Sequence, residues 1–364
     1  MRAYFNYILL LIRVDKMNPE EGGKSEVRRI QITGGSTYIV SLPKKWVTQH
    51  GLKARDEVRI EWRPSGSLRL SAETTTVRKR RRVDIELDEI GSEFLFDHLI
   101  GAYLSGADRI RLSSRKAIKR SDRRIIRRFI QATRGIEISH ETDFIVEMIA
   151  LLNTSEMPLH SSINRMYLIV SSQIRDVSEV LSGGDKSLLS DSDEREKEVD
   201  ALRLLLERQV GQILESASIE TSFGINRWEA SELSNIVRIF ERIGDHCYII
   251  SNLCLEQDIP EILTPGEVPA SVIPTWQKSI KSLIANLKKR KIKEIQESKF
   301  EIQKAVRSLD EFEEGLWTSE MTATDALFFD KLSESMRRIL AYTLDMAEVL
   351  INIQTHRESI EEDY

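Results

Sequence analysis

The chain is poor in the residues that most often carry catalysis. Its 364 residues include only two cysteines and six histidines. Cys247 and Cys254 are seven apart, two helical turns along one face, so they read as small core residues. No disulfide framework is available, which fits a reducing compartment and a cytoplasmic location. The histidines are not grouped, and no Cys/His metal spacing occurs. There is no Gly-rich phosphate loop and no G-x-S-x-G nucleophile motif. General acid–base chemistry has no obvious seat, and the chain reads as a non-enzyme. Long apolar runs are also missing. Residues 4–12 are apolar between Arg2 and Arg13, but a bilayer span needs about 20 residues. No small-residue cleavage site follows, so no signal peptide and no membrane span are expected. Met17 is a second candidate start, and residues 1–24 read as a flexible extension.

Charge is abundant but unevenly placed. Residues 24–82 carry 15 Lys/Arg against 5 Asp/Glu, while residues 185–364 carry 22 against 35. A basic end attracts phosphate backbones through counterion release, whatever sequence is read.

The length suggests two or three domains, and the pattern changes along the chain. Residues 27–33 (VRRIQIT) and 38–42 (YIVSL) read as strands around a Gly34-Gly35-Ser36 turn. A short helix of residues 44–50 follows Pro43 and closes at Gly51. EVRIEW, from Glu57, and SLRLSA, from Ser67, make a hairpin around Pro64-Ser65-Gly66. The RKRRR run at 78–82 suits either a solvated linker or a phosphate-contacting arm. Residues 83–152 then alternate strand and helix. One helix there, 122–132, is basic and amphipathic, with Ile125, Ile126, Phe129 and Ile130 inward. From Pro158 the pattern is purely helical, with helices near 158–182, 190–217, 225–257, 268–290, 291–317 and 320–356. Gly183-Gly184, Gly224 and the stretch from Pro260 to Pro269 punctuate them.

The expected architecture is multidomain α+β. Residues 25–77 form a small β-domain, 78–155 a basic linker and small α/β module, and 156–357 an all-α six-helix bundle. Spacing suggests two three-helix pseudo-repeats. Asp245 then corresponds to Asp345 and Asn252 to Asn352, while Asp310 and Glu314 stand opposite Glu196 and Asp200.

The sharpest chemical feature is a pair of E/D-x-x-x-D spacings, Glu196 with Asp200 and Glu241 with Asp245. Residues four apart share one helix face, so two adjacent helices would offer four carboxylates to one place. Such a group repels itself unless a cation joins it. All-oxygen sites suit hard cations, and carboxylate-rich bundles also hold iron. An isolated spacing of this kind is usually only a solvated face, and Arg238 and Arg242 offer neutralisation within the helix. Gly244, inside the second motif, costs about 1 kcal/mol relative to Ala. It suggests close approach of a neighbouring helix. His246 points about 100° away from Asp245, as a surface or supporting group. At the front end, Arg28, Arg29, Gln31, Lys44 and Lys45, with a helix N-terminus beside the lysines, suit either a phosphate clamp or the charged surface of a soluble β-domain, and they are the candidates for DNA contact under the resemblance described next.

Residues 26–72, above all GGSTYIVSLPKKWVTQHGL followed by DEVRIEW, resemble the AbrB/SpoVT swapped-hairpin family of DNA-binding domains. The usual Gly-Asp pair is Arg55-Asp56 here. The resemblance implies a homodimer of interlocked hairpins on DNA. Residues 158–356, through ERIGDH and the upstream EKEVDALR, resemble the PhoU family of phosphate-uptake regulators. That implies metal ligation by Glu196, Asp200, Glu241 and Asp245, with Fe, Mn, Mg or Zn as the ion. A second, degenerate set comprises Asp310, Glu314 and Asp345, because Ala341 replaces its first acid. The pairing of domains resembles archaeal PhoU-type regulators. It implies a transcriptional regulator of phosphate uptake whose partners are DNA, a second copy of itself, and a phosphate ABC transporter or its regulatory kinase. The rival is an adaptor that acts on the transporter or kinase without touching DNA. A carboxylate-bridged di-iron enzyme is disfavoured, because Glu-x-x-His pairs are missing from the two motif helices.

Overall fold

The computed structural model describes residues 26–35, 37–62, 68–72, 80–152, 157–260, 268–316 and 321–359. The N-terminal extension with Met17, Ser36, the Pro64-Ser65-Gly66 turn, residues 78–79 of the basic run and residues 261–267 lie outside them. The chain divides into two units, residues 1–79 and 80–364.

The front unit is two separate hairpins and a short helix. Strand β1 (Gln31–Thr33) pairs antiparallel with β2 (Thr37–Ile39). Helix α1 (Lys44–Gln49) follows Pro43, and β3 (Val58–Trp62) pairs antiparallel with β4 (Leu68–Ala72). The first strand is shorter than the sequence suggests, starting at Gln31 rather than Val27. Arg28 and Arg29 therefore precede it. Gly34 and Gly35 take φ of +60° and +82° in the hairpin turn, a region that glycine enters without a Cβ clash. Arg55 also lies there, at φ +81°. Its turn is closed by Asp56, whose side chain accepts from the Lys53 backbone N–H at 2.7 Å.

The second unit begins with an α/β module. Strand β5 (Arg82–Glu86) runs parallel to β6 (Arg109–Ser113), with a 3-10 turn and helix α2 (Leu95–Leu104) between them. Helix α3 (Arg120–Ala132) leads to β7 (Ile136–Glu141) and β8 (Ile145–Ala150), and the sheet order is β5-β6-β8-β7. Apolar residues alternate on the sheet and recur every three or four positions on the helices. Their inner faces meet in a core of Leu99, Leu112, Phe129 and Met148, among others.

The bundle follows as α4 (Leu159–Leu181), α5 (Ser192–Glu215), α6 (Ala217–Phe223), α7 (Arg227–Glu256), α8 (Val272–Lys289), α9 (Ile292–Leu316) and α10 (Ala323–Glu358). The six long helices stand where the apolar spacing puts them. The short α6 was not expected. It uses the residues between α5 and α7 and stops at Gly224, φ +64°. Helices α4, α5 and α7 pack as one three-helix group, and α8, α9 and α10 as the other. The two groups meet mainly where α7 runs antiparallel to α10: Trp228 stacks on His356 while His246 lies by Tyr342.

The module is fastened to the bundle rather than tethered to it. Leu204 of α5 belongs to the module core. Arg208, buried on the same helix, donates to the carbonyls of Tyr103 at 2.6 Å and Ala107 at 2.8 Å. Its guanidinium also lies 4.9 Å from the Tyr103 ring centre. The Tyr103 carbonyl also accepts from the Gly106 backbone N–H at 3.0 Å, so Arg208 adds a second donor there and supplies one to the Ala107 carbonyl in the loop beyond α2.

Candidate functional site

The four acids of the two spaced motifs face one another across the α5–α7 contact. Glycine at 244 allows that contact to be close. A Cβ there would lie 3.3 Å from Val199 Cγ1 and 3.8 Å from Val170 Cγ2. Glu196 and Asp200 bracket Val199 on α5, and Glu241 and Asp245 bracket Gly244 on α7. All four are half-buried. Burial lifts each carboxyl above its ordinary range. Mutual repulsion adds to this: Asp200 and Asp245 act on Glu196, and Asp200 acts on Asp245 and Glu241.

A cation from the chain itself already sits in this group. Arg203 Nε is 3.2 Å from Glu241 Oε1 and 3.9 Å from Asp200 Oδ1. Its Nη1 is 3.3 Å from Glu207 Oε2. The Nε is buried and within ion-pair distance of Glu241, yet it makes no aligned hydrogen bond. Arg203 opposes the upward shift at Asp200, Glu241 and Asp245. Among the described residues, no three His, Cys, Asp or Glu side chains are close enough to hold a metal ion.

Of the two arginines that offered neutralisation within the helix, Arg242 opposes the upward shift of Glu241, and both make contacts beyond α7. Arg238 donates across to Glu207 on α5, at 2.9 Å. Arg242 lies over the Tyr342 ring, 5.6 Å from its centre, on the α10 side. His246 also faces α10, its ring 6.0 Å from that of Tyr342. Burial lowers its pKa, and Arg338 adds to the shift. Sequence reasoning missed Arg203. Its spacing from Asp200 and Glu207 is visible on α5, but its approach to Glu241 needs the packing of α7.

The second acidic set is not assembled. Asp310 pairs with Arg337 Nη1 at 2.6 Å, and the same guanidinium binds Glu313. Glu314 is exposed. Asp345 faces α7 and lines a groove of about 370 Å³ with Arg238, Arg242 and Asn352. Eight residues separate Arg337 from Asp345, about 12 Å along the helix and about 80° round it. Asp310 and Asp345 therefore do not converge. Both cysteines are buried, as their spacing suggests. Burial pushes the Cys254 thiol up to about 12, and Cys247 shifts in the same direction.

At the front end Arg28, Arg29, Gln31, Lys44 and Lys45 are all exposed. Arg28 is paired with Glu26. The apolar faces here are open. Ile32 is 65% exposed, Tyr38 71%, Ile60 56% and Leu68 50%. Ala72 is the one buried residue among those described in this unit.

Comparison with known proteins finds a similarity in part of each unit. Residues 163–254 match the PhoU domain. This match spans most of α4, all of α5 and most of α7, and it contains all four motif acids. Residues 31–81 match the family described as antidote-toxin recognition MazE, bacterial antitoxin. The chain thus has a segment similar to the PhoU domain, preceded in the sequence by one similar to the MazE family. No curated protein matches it. The crystal structure of PhoU from Pseudomonas aeruginosa aligns over 55% of this chain and 96% of its own, with 16% identity and a TM-score of 0.39.

Proposed function

We propose that the chain is a dimeric, DNA-binding regulator of phosphate homeostasis. The observation that carries this reading is the front unit. It has two short hairpins, apolar strand faces with almost nothing buried, and a strong excess of positive charge. A two-stranded hairpin is marginal by itself in water. A second copy supplies the missing half of the core, and the shared sheet then presents Arg28, Arg29, Gln31, Lys44 and Lys45 to phosphates. The MazE/AbrB-like match supports this assignment.

The PhoU domain would sense phosphate status. Its four half-buried carboxylates, which repel one another across α5 and α7, have the all-oxygen chemistry of a hard-cation site, and they would have to draw closer than they stand here to share one ion. Glu196, Asp200, Glu241 and Asp245 would hold Fe, Mn, Mg or Zn, with Arg203 giving up Glu241. A cation there would neutralise the seam and tie α5 to α7. Because the PhoU match ends at residue 254, the signal would be read in the first half of the bundle. A phosphate transporter or its kinase is the further partner. Among the described residues no helix is long and apolar enough to cross a membrane.

The test is selection of genomic fragments on the full chain at about 150 mM salt, where screening leaves only well-matched contacts strong. Enrichment next to phosphate-transport genes supports the regulator. Absence of any DNA retention overturns it in favour of the adaptor. Metal content of Glu241→Ala with Asp245→Ala, measured by plasma emission, tests the ligands. A metal content equal to that of the parent chain removes them from the site.

A further inference from the structure

The α/β module carries a second concentration of positive charge that none of the roles above uses. Between residues 115 and 134 there are nine Lys/Arg and a single acid, Asp122. Asp122 is buried, so it does not offset the exposed face. Helix α3 explains the arrangement. Its apolar residues face the module core, with Ile126 and Phe129 buried. The opposite face then carries Arg120, Arg124 and Arg127, at positions i, i+4 and i+7, and all three are exposed. Arg115, Lys116 and Lys119, in the approach to the helix, are exposed as well.

The module distinguishes two kinds of arginine. Arg123, on the flank of α3, is tied to Glu141 and to the Thr142 carbonyl. Arg134 lies 3.6 Å from Glu198 on the bundle. These side chains fasten the fold. Among the described residues, none of Arg120, Arg124 and Arg127 enters an ion pair. Three like charges on adjacent turns destabilise an isolated helix. Nothing in the module's packing needs them there.

We infer that the arginine face of α3 is a second phosphate-contacting surface for duplex nucleic acid, separate from the front unit. Three features favour this ligand. The face is dense in one sign of charge, as a polyanion requires. It is built from arginine, whose planar fork binds phosphate in a bidentate manner. It also lacks the apolar side chains that a membrane-surface helix inserts below the headgroups, because Ile126 and Phe129 of α3 are buried in the module and Ile125 and Ile130 pack half-buried against its core. The inference rests on the DNA-binding reading above and adds to it a surface outside the MazE/AbrB-like domain.

The experiment uses the full chain and a random-sequence DNA duplex, with affinity measured across a salt series. Four proteins are compared: the parent, Arg120→Gln with Arg124→Gln and Arg127→Gln, the same three positions changed to Lys, and Lys44→Ala with Lys45→Ala. Each lost phosphate contact shallows the log–log salt slope by about 0.9, so the Gln variant is expected to lose up to about 2.7. The Lys variant is expected to keep most of the slope, and all four are expected to share one melting temperature. An unchanged slope for the Gln variant beside a shallower one for the Lys44 and Lys45 variant overturns this inference and leaves the DNA reading standing. No binding by the parent overturns both. If the Gln variant keeps its DNA affinity but loses binding to phosphatidylserine vesicles, the face belongs to a membrane and the inference fails. If it keeps DNA affinity but changes its sedimentation, the face belongs to self-association, and the inference fails equally.

Discussion

Gly244 of α7 lies against Val199 of α5, so closely that a Cβ on the glycine would stand 3.3 Å from Val199 Cγ1. This contact sets the distance between the two acid pairs. Gly244→Ala gains about 1 kcal/mol of helix propensity and loses part of it to the tighter contact, so its urea midpoint should stay close to the parent's. Gly244→Val cannot be absorbed in this way. It should destabilise by about 1–3 kcal/mol through overpacking, and it should weaken metal binding by spreading the acids. A valine variant as stable as the parent would mean that α5 and α7 are not held at this distance.

Arg203 stands where a bound cation would have to compete with it for the carboxylates of Glu241 and Asp200. Arg203→Ala should lower the stability of the metal-free protein by about 1 kcal/mol, the size expected of partly exposed pairs. The same change should tighten the binding of added Mn or Zn, read by calorimetric titration. Opposite signs in the two measurements are the signature of competition. Loss of stability with unchanged metal affinity would make Arg203 a purely structural partner.

Arg208 joins the module to the bundle through two buried carbonyl contacts. Its replacement by Ala removes the Arg208 donor from the Ala107 carbonyl, while the Tyr103 carbonyl keeps the Gly106 N–H, and should cost about 1–3 kcal/mol in denaturant unfolding. Hydrogen exchange should then show α2 and β6 opening more easily than α10. Equal protection of all three would show that apolar contacts such as that of Leu204 hold the module in place.

In the front unit Ile60 and Leu70 are cross-strand partners, and both are exposed in the single chain. Ile60→Glu with Leu70→Glu should make the full chain monomeric in sedimentation and abolish duplex binding. The helical unit should keep its melting temperature. A variant that remains dimeric would place the dimer contact elsewhere.

His160 gives a pH dependence whose sign is fixed. Burial lowers its pKa below the usual 6.5, with Lys288 and Arg357 adding to the shift and Glu229 opposing it. The unfolded chain therefore binds the proton more readily. The stability contribution is complete above pH 6.5 and is lost as pH falls through the folded value. Melting temperature should decline between about pH 7 and 5, and His160→Gln should flatten that decline. An identical pH profile for the variant would clear His160 of this role.

The sequence alone determined what depends on local pattern. The six long helices were legible because apolar residues recur every three or four positions, and because glycine and proline stop them. Glycine at 244 implied a close helix contact, since nothing else repays its cost within a helix. The front domain was legible from its turn glycines and the Leu42-Pro43-Lys44 junction. Even the departure at Arg55 preserves the turn, with arginine taking the left-handed backbone that glycine would adopt more easily. The acids of both bundle halves could likewise be named from their spacing.

Only the tertiary structure decided which of those acids meet. Asp345 and Asp310 lie on helices that pack together, yet they face different neighbours, because eight residues of α10 separate Asp345 from Arg337, the partner of Asp310. Arg203 enters the first acidic group through the packing of α5 on α7, a contact between residues 38 apart that no local pattern encodes. The arginines of α3 looked alike in the sequence. Folding separated those that fasten the module from those left facing water, because a helix docked by one apolar face gives its side chains different neighbours according to their angle around the axis.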